Sequence, residues 1–206
     1  MTWITFIDLA GTLVFAISGI TAGIKKEFDI IGTLVLGIVT AVGGGTLRDL
    51  LIGSLPVGWL TTDVYIYVIF AAIPISYFFS KSLLRLRRSL FLMDTIGIAL
   101  FTVLGAQKTL DAGLSPAVAV MLGSVSAVFG GVIRDVLANV EPLIFRREIY
   151  ATACVAGGIV YVSLLHFALD PAIAMLSAMA VIVIVRYISM RYNWGLQIKV
   201  KGYEKK

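Results

Sequence analysis

The sequence predicts an all-α polytopic membrane protein: seven transmembrane helices, arranged as two inverted three-helix repeats plus a seventh helix. Three observations carry this reading. The 206 residues are 59% hydrophobic and only 14% charged, with mean hydropathy +0.99, whereas a soluble domain carries about 25% charged residues. The apolar residues fall into seven stretches joined by short polar connections. Finally, residues 8–56 recur as residues 94–142.

The stretches run near 4–24, 30–54, 63–80, 89–107, 115–139, 149–168 and 171–190. Each approaches the roughly 20 apolar residues that cross a hydrocarbon core of about 30 Å. The start, Met1-Thr2-Trp3-Ile4, lacks a basic n-region, and Asp8 interrupts the first stretch. That stretch is therefore expected to stay as a helix rather than be cleaved as a signal peptide. The chain divides into a first repeat (1–88), a second repeat (89–169), a seventh helix (170–190) and a basic tail (191–206).

Basic residues set the orientation. With the N-terminus outside, the cytoplasmic segments collect Lys25, Lys26, Lys81, Arg85, Arg87, Arg88, Arg146, Arg147, Arg191, Lys199, Lys201, Lys205 and Lys206. The outer loops hold only Lys108. Such asymmetry follows the positive-inside rule and favours seven spans, with the tail in the cytoplasm. Trp59, Tyr65 and Trp194 fall near predicted span ends, where amphipathic rings prefer the interface. The net charge of +5 is thus loop charge, and no nucleic-acid or soluble partner is indicated; lipid is the expected surroundings.

At an offset of 86, fifteen of 49 ungapped positions are identical, among them Asp8/Asp94, Arg48/Arg134, Asp49/Asp135 and Pro56/Pro142. Shared apolar composition explains leucine and valine matches, but not paired charges and a paired proline. Each repeat holds three spans, an odd number, so the second copy enters the membrane from the opposite side. Inverted repeats of this kind place solute sites near the midplane, between the copies.

The second span of each repeat carries one device: Gly43-Gly44-Gly45-Thr46-Leu47-Arg48-Asp49 and Phe129-Gly130-Gly131-Val132-Ile133-Arg134-Asp135. Consecutive glycines weaken a helix by about 1 kcal/mol each, which predicts a kink or an unwound turn. The alternative is that they let two helices cross closely, the reading preferred for Gly19 and Gly23. Arg48, Asp49, Arg134 and Asp135 each cost about 2.5–3.5 kcal/mol at a membrane helix centre, so they are expected to be paired or to face an aqueous path. Neighbouring side chains diverge by about 100° on a helix, which sends each arginine to a partner elsewhere. Matching depths suggest Asp8 for Arg48 and Asp94 for Arg134; alternatively Asp8 and Asp94 are helix N-caps, and Asp49 and Asp135 partner a half-helix dipole.

Cys154 is alone in an apolar run and His166 is the one histidine, which leaves no metal site. No nucleophile stands beside a base and no phosphate-binding loop occurs, so enzyme activity and cofactors are not expected.

Two three-span repeats with doubled glycines and a following Arg-Asp, plus a seventh span, resemble the prokaryotic trimeric intracellular cation (TRIC) channel family. They are also similar to bacterial inner-membrane proteins described as glycine transporters. The resemblance implies a homotrimer with a pore through each protomer between kinked helices two and five, passing potassium or sodium. It carries over Gly43, Gly44, Gly45, Arg48 and Asp49, with Gly130, Gly131, Arg134 and Asp135. Phe129, standing where the first copy has Gly43, departs from the pattern and would narrow or plug the path. Two chemistries stay open. In a channel, carbonyls freed at the kinks replace part of a cation's hydration shell, provided the arginines are neutralised. In a carrier for glycine or a similar amino acid, an arginine holds the carboxylate and an aspartate the ammonium.

Overall fold

The computed structural model describes residues 3–79, 89–146, 149–192 and 194–195. Among them lie seven α-helices: α1 (Trp3–Lys25), α2 (Ile30–Leu51), α3 (Val64–Phe78), α4 (Ser89–Asp111), α5 (Pro116–Leu137), α6 (Ala151–His166) and α7 (Pro171–Tyr192). Two 3-10 turns, Gly58–Leu60 and Leu143–Phe145, follow Pro56 and Pro142. The basic cluster 81–88, Arg147 and the tail from 196 lie outside the described residues.

The elements begin where local chemistry dictates. Asp29 caps α2, its side chain accepting the Gly32 N–H at 2.7 Å. Ser115 caps α5, with Pro116 in the first turn, where a missing N–H costs nothing. Helices α1, α2, α4, α5 and α7 are long and apolar enough to cross a membrane; α3 and α6, at 15 and 16 residues, are shorter apolar helices. Large apolar side chains such as Ile30, Ile31, Tyr67, Phe70 and Leu176 stand exposed on the outside, as lipid-facing side chains do.

Helix α4 runs four residues beyond the expected 107, so Lys108 belongs to its last turn and not to an outer loop. The apolar stretch ends at Gln107, but the backbone hydrogen bonding continues to Asp111.

The two copies pack reciprocally. A Cβ on Gly97 would lie 1.9 Å from the Phe15 ring, and one on the equivalent Gly11 3.2 Å from the Phe101 ring. The two rings themselves meet at 5.1 Å between centroids. When position i of one copy touches j of the other and the equivalent positions touch in exchange, the copies are related by an approximate two-fold axis. Helix α1 crosses α2, and α4 crosses α5, at equivalent glycines: Gly19 backs onto the Leu36 carbonyl, and Gly105 onto Gly123. Helix α7 lies outside this symmetry, packed on α6 and α4.

The α2–α5 crossing sits at the predicted glycines, with a different role from an unwound turn. Both helices stay continuous through them. A Cβ on Gly44 would lie 2.0 Å from the Ser126 carbonyl oxygen, and one on Gly130 2.3 Å from that of Thr40. The missing Cβ serves close approach of two backbones. Carbonyls freed by unwinding are consequently not a feature of this crossing.

Candidate functional site

Each Arg-Asp pair ends its helix on a polar cluster. In the first, Arg48 Nε and Nη2 donate to Asp49 Oδ1 at 2.9 and 2.7 Å, and Nη1 donates to Ser126 Oγ on α5 at 3.2 Å. Asp49 Oδ2 accepts the Gly58 N–H and the Lys108 ammonium, both at 2.8 Å. Asp49 is 1% exposed and Arg48 8%, so this carboxylate neutralises a buried guanidinium and a half-buried ammonium, Lys108. Asp8 accepts a hydrogen bond from the Tyr65 hydroxyl.

In the second cluster, Arg134 Nε donates to Asp135 Oδ1 at 2.8 Å, while Nη1 donates to Ser18 Oγ at 2.7 Å and Asp94 Oδ1 at 3.2 Å. Asp135 Oδ2 accepts the Leu143 N–H at 3.2 Å. The repeat thus persists beyond Pro56/Pro142 with one residue deleted: Gly58 matches Leu143 and Tyr65 matches Tyr150, both at an offset of 85.

Three expectations are corrected here. Arg48 and Asp49, like Arg134 and Asp135, pair with each other, because a long guanidinium stem curls across the angle that separates neighbouring Cβ atoms. Asp8 is held by Tyr65, and the ion pairs of Arg48 and Asp94 are Arg48–Asp49 and Arg134–Asp94; the depth argument therefore succeeds only in the second copy. Asp8 and Asp94 lie within α1 and α4, not at their N-caps, and Asp49 and Asp135 stand in last turns, so no half-helix dipole is capped.

The glycines divide by neighbour. Gly44 and Gly130 make the crossing, and Gly43 abuts the Ile133 side chain. Gly45 and Gly131 instead underlie the clusters: the atom nearest to a Cβ on Gly45 would be Arg48 Nη2, at 3.7 Å. On Gly131 a Cβ would lie 3.2 Å from the Tyr150 hydroxyl and 3.4 Å from Asp94 Oδ1. Phe129 is 37% exposed and lines neither of the cavities that open onto the two clusters.

A cavity opens onto each cluster. The first, about 230 Å³, reaches from Thr5 and Asp8 near the start of α1 to Gly45, Arg48, Asp49 and Lys108. Trp59 and Tyr65 line it too, and Trp59 Nε1 donates to Thr46 Oγ1 at 3.0 Å. The second, about 400 Å³, lies at the other end of α1, lined by Lys25, Lys26, Phe91, Arg134, Asp135 and Arg146. Between the two vestibules α2 and α5 meet backbone to backbone.

A protein-family model described as "Glycine transporter" matches residues 5–81 and 91–166. The inner membrane protein YadS of Escherichia coli is 38% identical over 193 residues, 93% of each chain. A membrane protein of Deinococcus radiodurans is 40% identical over 189 residues, 90% of this chain and 87% of its own. The trimeric intracellular cation channel orthologue from Rhodobacter sphaeroides superposes with TM-score 0.89 at 34% identity, covering 94% of this chain and 100% of its own. The chain belongs to the glycine transporter family, which shares its fold with the prokaryotic TRIC channels.

Within that family fold, two functional candidates escaped the sequence reading. Lys108 reads as a loop residue from sequence because hydropathy fades before the helix ends. Arg186, fully buried on α7, is a lone charge in an apolar stretch without a repeat partner; its depth in that stretch was the available signal.

Proposed function

We propose that the protein is a cation channel of the bacterial inner membrane, acting as a homotrimer and passing potassium or sodium through each protomer between α2 and α5. The observation that carries this is the pair of vestibules. They enter from opposite ends of α1 and converge on one crossing, and each ends at a buried arginine already neutralised by carboxylate. A bare guanidinium would repel a cation; Arg48 with Asp49, and Arg134 with Asp94 and Asp135, do not present one. The first vestibule is lined by three acidic side chains, Asp8, Asp49 and Asp111, against two basic ones, Arg48 and Lys108, a balance that favours cations. The basic rim of the second, with Lys25, Lys26 and Arg146, suits the cytoplasmic face. The first vestibule then opens outward. The TRIC channels of similar fold and sequence support both the cation and the trimer.

A second reading has its own support. The closed α2–α5 contact separates two vestibules as alternating access requires, and the first cavity offers cations and carboxylates together, which suits a zwitterion such as glycine. Liposomes holding the purified protein separate the two. The channel reading expects potassium efflux on a concentration gradient, and no saturable glycine counterflow. Saturable counterflow without potassium efflux would establish the carrier instead.

A further inference from the structure

Helix α7 has no counterpart in the repeat, yet it reaches into the second cluster. Its Arg186 guanidinium lies over the rings of Phe91 and Tyr150, at 4.5 and 4.8 Å from their centroids. Arg186 Nη1 donates to the Ile149 carbonyl at 3.2 Å, and the Ile149 N–H donates to Ser189 Oγ at 3.2 Å. Ser189 Oγ in turn donates to the Trp194 carbonyl at 2.8 Å, which orients it as an acceptor for Ile149. One turn of α7 therefore grips both polar groups of one peptide residue, immediately before Tyr150. Tyr150 is 2% exposed, and its hydroxyl and Asp94 Oδ1 both border the space above Gly131. Asp94 is the second carboxylate on Arg134.

We propose that Arg186 and Ser189 are positioning residues for the second vestibule: they fix Tyr150 beside Asp94, and through it the ion pair that neutralises Arg134. In the first vestibule Tyr65, at the position equivalent to Tyr150, hydrogen-bonds Asp8 without a clamp from α7, because α7 packs on α6 and α4. The two mouths, alike by duplication, are made unequal by the added helix. A guanidinium suits this task better than an ammonium, since its plane stacks on rings while its edge still donates. The consequence for conduction rests on the channel reading above; the positioning itself does not.

The test is fluorine NMR of the full-length protein labelled with 3-fluorotyrosine in lipid nanodiscs, beside potassium flux in liposomes. Tyr150→Phe and Tyr65→Phe assign the two resonances. Arg186→Met is expected to move the Tyr150 resonance, leave that of Tyr65 in place and lower flux at least about tenfold. Arg186→Lys, which keeps charge over the rings, is expected to recover much of both. Should Arg186→Met fail to fold, Ser189→Ala decides, since it removes only the acceptor for the Ile149 N–H; it too should move Tyr150 and spare Tyr65. An unmoved Tyr150 resonance in a folded variant, or equal movement of both tyrosines, would overturn the proposal. So would unchanged flux with Tyr150 displaced. Wild-type protein that passes no potassium counts against the channel alone, because the resonances report the clamp whichever solute crosses.

Discussion

Asp49 carries more of the first cluster than any single neighbour suggests. It accepts from Arg48, Lys108 and the Gly58 N–H, so Asp49→Asn leaves the buried Arg48 and the half-buried Lys108 without their carboxylate. Breaking a buried pair by removing one partner costs about 3–5 kcal/mol. Asp8→Asn removes only the charge that Tyr65 hydrogen-bonds, and a neutral amide oxygen still accepts; the expected cost is about 1–2 kcal/mol. Thermal unfolding in detergent should order the variants accordingly, and equal losses would mean that Asp8 also shares Arg48. The charged residues themselves were legible as a repeated pattern in an apolar chain. Their pairing was not, because angles between neighbouring positions describe where side chains start and not where a four-bond stem ends. Tyr150 was hidden for another reason: one deleted residue after Pro142 removes it from the 86-residue register.

At the scale of elements, glycine identity alone does not distinguish a bent helix from a close crossing, since both need the same absent Cβ. Packing partners separate them. Gly44→Ala would drive a methyl into the Ser126 carbonyl, 2.0 Å away and unable to yield without moving α5. Overpacking of ordinary side chains costs about 1–3 kcal/mol, and a backbone obstacle should exceed that. Gly45→Ala meets nothing nearer than 3.7 Å and gains helix propensity of about 1 kcal/mol. Purified yield and melting temperature should therefore fall sharply for Gly44→Ala and hold for Gly45→Ala. Similar losses at both positions would return the glycines to a shared role in bending. The helices themselves were largely readable from hydropathy, with ends displaced by a few residues where polar turns continue a helix, as at Lys108.

For the whole molecule, the duplication was the feature most legible in the sequence, and the reciprocal Phe15–Phe101 and Gly44–Gly130 contacts are its physical counterpart. Insertion of the two copies from opposite sides predicts that Glu27 and Ala112 face opposite compartments. Cysteines at these exposed positions should react with an impermeant maleimide from opposite sides of sealed vesicles, while the buried Cys154 stays silent. Reaction from one side would contradict inverted insertion. The added seventh helix could not be read as functional, since its one buried charge has no repeat partner to draw attention to it.

Whether a neutralised arginine lines a cation path is decided most directly by unitary currents in planar bilayers under a potassium chloride gradient. The wild-type protein should show unitary currents that reverse near the potassium equilibrium potential. Asp49→Asn, which uncovers Arg48 and Lys108 in the first vestibule, should shift that reversal toward chloride. Reversal at the chloride potential in the wild type, or no unitary current from protein that transports glycine, would contradict the account.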